Sequence, residues 1–186
     1  ESRPTEAGRS VIVRRNPDGS IEDVSPAGFN SRTRAHEYGG GAYGVSGGAI
    51  VSSRFEDQRV YRLDRTEPEP ITPEPDLPAG DRFADFTFHG GLVVCVREHH
   101  LPDTEAVNEL VVFPIDGSAP PRVIAGGHDF AAAPRVSPDG TRLAWLTWDH
   151  PNMPWDGTEL WVADLAVDGT LGEAVLVAGG PDESIF

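Results

Sequence analysis

Little in this sequence supports a membrane span, a disulfide or a run of helices. No stretch of its 186 residues stays apolar for the ~20 residues that a bilayer-spanning helix needs. The single cysteine, Cys95, rules out an internal disulfide. Its setting in Val93-Val94-Cys95-Val96 predicts a small buried core residue. Basic residues are scarce, 15 against 30 acidic ones, for a net charge of −15. Such a chain is a poor ligand for nucleic acid or an anionic membrane, because phosphate contacts need clustered cationic side chains. The amino end, ESRPTEAGRS, lacks the apolar core of a signal peptide, so a cytoplasmic setting is expected. Glycine (21) and proline (17) are plentiful. With almost no helical periodicity, they predict many turns and an all-β fold.

The stretch Val136 to Leu165 shows the building unit. Ser137-Pro138-Asp139-Gly140 has the chemistry of a hairpin turn, since Pro presets φ and Gly accepts the closing conformation. Leu143 to Trp148 reads as a strand buried on both faces. A loop rich in Pro and Asp follows, then a strand at Leu160-Trp161-Val162-Ala163, then another at Val175-Leu176-Val177. The unit recurs. Val60-Tyr61-Arg62-Leu63, Leu110-Val111-Val112-Phe113 and Leu160-Trp161-Val162-Ala163 start 50 residues apart, and the last two units each close with Ala-Gly-Gly. Four strands at a period near 50 predict a partial β-propeller. The expected division is three complete four-stranded blades at 34–78, 79–127 and 128–180. Residues 1–33 end an earlier blade, and 181–186 open the next. The uncovered outer blade faces of such a slice predict self-association.

Several motifs invite a catalytic reading and fail on context. Gly44-Val45-Ser46-Gly47-Gly48 matches G-x-S-x-G, yet the residues that follow alternate like a strand where a nucleophile elbow needs a helix. Ser46 is expected in a hairpin turn. Gly39-Gly40-Gly41-Ala42-Tyr43-Gly44 fits G-x-G-x-x-G, but no βαβ unit accompanies it, so it reads as a strand approached closely near the propeller axis. The six histidines have no metal-ligand spacing, and no bound metal is expected. His99-His100 is placed on a solvent loop. Trp145 and Trp161 are assigned to the blade core, and Trp155 to a proline-ordered loop.

Chain reversal in a meander puts short turns on one face and long loops on the other. Gly47-Gly48, Gly90-Gly91 and Pro138-Asp139-Gly140 mark the plain face. The loops at 99–103, 127–130 and 150–157, with His36-Glu37-Tyr38, mark the rich one. Recognition residues concentrate on such loops. The candidate set facing substrate or a neighbouring domain is therefore Glu37, Tyr38, Asp129, Trp155 and Asp156. Gap-filling between blades is the competing role for Tyr38 and Trp155.

His36-Glu37-Tyr38-Gly39-Gly40-Gly41-Ala42-Tyr43, Ala132 to Gly140, and above all Trp148-Asp149-His150-Pro151-Asn152-Met153-Pro154-Trp155-Asp156-Gly157-Thr158-Glu159-Leu160-Trp161 resemble the propeller of prolyl oligopeptidase family serine peptidases. The likeness is to bacterial acylaminoacyl peptidases and dipeptidyl aminopeptidases, and it spans essentially the whole chain. It implies a non-catalytic propeller segment that gates short peptides, in an enzyme that needs no metal or organic cofactor. The active site would lie on a C-terminal α/β-hydrolase domain of the same polypeptide, and that domain's triad has no counterpart here. A free-standing TolB-like propeller without enzymatic activity is the alternative.

Overall fold

The computed structural model describes residues 1–37 and 39–185. Two small hairpins come first: β1 (Ser2–Arg3) pairs with β2 (Arg9–Ser10) across a 3-10 turn at Pro4–Glu6, and β3 (Val13–Arg15) with β4 (Ile21–Asp23). Three four-stranded antiparallel meanders follow. The first is β5 (Tyr43–Ser46), β6 (Ala49–Ser53), β7 (Val60–Arg62) and β8 (Glu69–Pro70). The second is β9 (Asp81–His89), β10 (Leu92–His99), β11 (Val107–Pro114) and β12 (Arg122–Ala125). The third is β13 (Phe130–Val136), β14 (Arg142–Trp148), β15 (Glu159–Asp164) and β16 (Val175–Gly179). These are propeller blades, with β9 touching β5 on one side and β13 on the other.

Turn chemistry sets the hairpins. Ser46 pairs with Ala49, which leaves Gly47 and Gly48 alone in the turn at φ +56° and +86°. Both central residues of a type I′ turn need positive φ, and glycine adopts it without steric cost. Ser46 therefore sits at the mouth of a hairpin with a strand on either side.

The inner strands are joined by one carboxylate. Asp85 lies at a bulge in β9 with φ +58°, and Ala133 lies at the matching bulge in β13 with φ +50°. Asp85 Oδ1 accepts from the Gly41 N–H at 2.7 Å, and Oδ2 accepts from the Ala133 N–H at 3.1 Å. A Cβ at Gly41 would stand 3.0 Å from Asp85 Oδ1, so glycine eases this close approach.

Apolar side chains fill the two clefts between blades. In the first, Val51, Val60 and Ile71 meet Phe83, Phe86, Val93, Cys95, Val111 and Phe113. In the second, Val94, Val96, Leu110 and Val112 meet Ala131, Leu143, Trp145, Ala163 and Leu165. The middle blade is thus covered on both faces, and Val93 to Val96 are fully buried. Each such side chain contributes ~1.5–3 kcal/mol over exposure. The third blade departs from the expectation of a doubly covered sheet. β14 alternates between buried and half-exposed positions, and in β15 only Ala163 is buried while Trp161 is partly exposed. The alternation follows from packing, since among the described residues the third blade meets a neighbour on one face only; Trp161 lies on the covered face, against the second cluster.

Candidate functional site

β14 runs from Arg142, beside the Pro138-Asp139-Gly140 turn, to Trp148 at its far end, so the two ends lie ~20 Å apart. At the Trp148 end, segments from all three blades enclose a cavity of about 420 Å³. Its walls include Glu37, Glu98, Asp129, Phe130, Trp148 and Met153.

One wall is acidic and held by a partly buried arginine, Arg82. Glu98 is almost fully buried, and its Oε1 accepts from Arg82 Nη1 at 3.0 Å and faces His100 Nε2 at 2.6 Å. Its Oε2 accepts from the His36 N–H at 2.5 Å. The same Arg82 Nη1 reaches Glu37 Oε1 at 2.5 Å, although the Glu37 side chain is 79% exposed. That hydrogen bond holds the Glu37 carboxyl below its usual pKa. His36 and Glu37 both have left-handed backbones, φ +55° and +63°, which turns Glu37 outward over the cavity. Ligand atoms of Glu37, Glu98 and His100 lie within 4.8 Å of one another, a spacing a metal could use. Arg82 already supplies the positive charge there, so the arrangement reads as an ion-pair network.

The floor is aromatic. Phe130 and Trp148 stack with centroids 5.1 Å apart at 9°, and His36 meets both rings edge-on at 5.8 and 5.9 Å. Burial pushes the His36 pKa down, against the pull of Glu98 and Asp85. The opposite wall is tied by two reciprocal Asp–His pairs. Asp149 accepts from the Asp129 N–H at 2.6 Å and faces His128 Nδ1 at 2.8 Å. Asp129 accepts from the His150 N–H at 2.8 Å and faces His150 Nδ1 at 2.9 Å. The His150 backbone and ring together lower the Asp129 pKa.

Of the residues picked from sequence, Glu37 and Asp129 come together in this cavity. Trp155 and Asp156 lie on the adjoining loop but outside its wall. Trp155 is 65% exposed, and Asp156 Oδ2 accepts from the Met153 N–H at 3.0 Å, shaping the loop that presents Met153. Tyr38 lies outside the described residues. His99-His100 is not the solvent loop expected. His99 ends β10 with Nδ1 2.6 Å from Asp81, and His100 is drawn in by Glu98. Sequence reasoning missed Glu98, Phe130 and Trp148. A signal for Glu98 existed: Val94, Val96 and Glu98 share one strand face, and a carboxylate continuing a buried face must have a partner.

Neither the family models nor the curated proteins give a match. Solved structures do. A puromycin-hydrolyzing peptidase from Mycobacterium tuberculosis aligns with 98% of this chain at 38% identity and a TM-score of 0.88. A puromycin hydrolase aligns with 97% at 37% identity and a TM-score of 0.87. The chain is a propeller segment of the prolyl oligopeptidase family. It spans about 30% of the length of these two family members. A putative TolB from Agrobacterium tumefaciens matches 96% of the chain, and 60% of its own length, with a TM-score of 0.61 at 15% identity. That likeness shows the fold alone. No helix among the described residues is long and apolar enough to cross a membrane.

Proposed function

We propose that this chain is the substrate-admitting part of a serine peptidase that acts on short peptides. The catalytic groups would stand on an α/β-hydrolase domain of the same polypeptide, and the propeller would gate access to them. The observation that carries this reading is the cavity at the loop-rich rim, in a chain 37–38% identical to puromycin-hydrolysing peptidases. Glu37, Glu98 and Asp129 put carboxylates above a Phe130–Trp148 floor, the chemistry that suits an ammonium group on an apolar body. Glu37 is the exposed member, tethered only sideways by Arg82, and can exchange that partner for an incoming amine. A cytosolic setting belongs to the same reading. The free-standing TolB-like alternative has weaker support, since that likeness stops at the fold.

The test is calorimetric titration of the protein with an apolar tripeptide bearing a free amino end and with its N-acetylated form. The free amine should bind about tenfold more tightly, a difference of ~1.4 kcal/mol. Glu37→Gln should erase most of that preference and leave the fold unchanged. Equal binding of both peptides by the wild type would defeat the amine-facing role. The chain by itself should not hydrolyse either peptide, because Ser46 ends a strand at the mouth of a type I′ hairpin, with another strand following.

A further inference from the structure

The second cleft contains a space beside Ala131, and the repeat shows how it arises. The register pairs Val93 with Phe113 and Cys95 with Val111 in the middle blade, and Leu143 with Ala163 and Trp145 with Trp161 in the third. Phe83 lies opposite Arg97, and Ala131 lies opposite Thr147, at the same place in the two meanders. Position by position, Phe83 and Phe113 become Ala131 and Ala163, while Cys95 and Val111 become Trp145 and Trp161. In the first cleft Phe83 and Phe113 pack edge to face, 6.2 Å between centroids. In the second, Ala131 stands where the Phe83 ring would be, and it lines a cavity of about 320 Å³ together with Leu110, Ile124, Trp145, Trp161 and Leu171.

The walls are pinned. Trp161 Nε1 donates to Thr147 Oγ1 at 3.0 Å and to Glu159 Oε2 at 3.2 Å, which fixes the indole. His128, held by Asp149, leans on Trp161 with centroids 5.9 Å apart. A void lined only by loose aliphatic chains tends to close, whereas polar anchors hold these two rings in place. His128, Thr147 and Asn108 add hydrogen-bonding capacity to the lining. No arginine is among the lining residues, and Glu159 and Asp149 stand directly behind it.

We propose that this cleft is a binding site for a small planar aromatic molecule, neutral or singly cationic, held between the Trp145 and Trp161 side of the third blade and Leu110 and Ile124 of the middle one. The volume sits at the lower end for ligand pockets and suits one fused ring system. The indole-bearing wall favours an aromatic guest, the polar groups select one with a hydrogen-bonding edge, and the carboxylates behind them exclude anions. The site is separate from the rim cavity and does not depend on the peptidase reading.

The experiment is an NMR titration with indole, and with indole-3-carboxylate as its anionic counterpart, following the indole N–H signals of Trp145 and Trp161. Indole should shift both signals saturably, and the carboxylate should bind at least about tenfold more weakly. Ala131→Phe restores the ring that the middle blade carries at Phe83 and should abolish indole binding while holding or raising the melting temperature. If that variant does not fold, Ala131→Leu fills part of the space and should weaken indole at least about fivefold. No saturable shift in the wild type, unchanged affinity in the filled variant, or equal binding of the carboxylate would each overturn the proposal.

Discussion

The two inter-blade clefts use the same strand positions and reach opposite outcomes. In the first, aromatic bulk sits at Phe83 and Phe113, which pack edge to face between the sheets, with Cys95 and Val111 as the small partners. In the second, the bulk has moved to Trp145 and Trp161, and the small residues are Ala131 and Ala163. Total bulk is roughly kept, yet its placement decides whether the cleft is solid or hollow. The polar edge changes with it. Arg97 bonds Glu109 at 2.5 Å in the middle blade, whereas the Trp161 N–H serves the equivalent Glu159 in the third. An indole has thus taken over a guanidinium's hydrogen bond, which ties the hollow wall in place.

The largest effect should separate the clefts directly. Phe113→Ala removes a fully buried ring from the solid cleft and should cost ~3–5 kcal/mol in urea denaturation. Trp161→Ala, beside existing space and partly exposed, should cost roughly 1–3 kcal/mol. If both variants lose the same stability, the distinction between solid and hollow clefts fails. Next in size, Ala131→Leu should gain ~0.5–1 kcal/mol, because it fills space without displacing a neighbour. The matching enlargement in the solid cleft, Cys95→Leu, should instead lose ~1–3 kcal/mol by overpacking. Thermal melts of this pair must move in opposite directions. The smallest effect concerns the rim floor beside these clefts. His36 has a pKa below the usual 6.5, so its neutral form stabilises the fold fully above pH 6.5. That contribution shrinks as pH falls through the lowered value. His36→Asn tolerates the same left-handed backbone and should flatten stability over that window, as read from melting at successive pH values.

The sequence made the repeat, the hairpins and the opposed faces legible because each rests on local chemistry. Gly47-Gly48 demands a turn wherever it sits, and the 50-residue offset of Leu110 and Leu160 is visible in one dimension. The site was legible only in part. Glu37 and Asp129 stand out as acids on loops, but Arg82, Glu98 and His100 meet Glu37 only after three blades pack together, and no local spacing encodes that. Trp161 misled for a related reason. An aromatic in an apolar strand looks like core, and whether it is core depends on the side chain at Ala131, thirty residues earlier on another strand.

Asp85 has a mechanical consequence. Its two oxygens take the backbone N–H groups of Gly41 and Ala133, so the inner strands of the outer two blades hang from one side chain of the middle one. A load on either flank therefore reaches the same carboxylate. Asp85→Asn would keep one oxygen for one neighbour and present an amide to the other, turning a rigid hub into a hinge on one side.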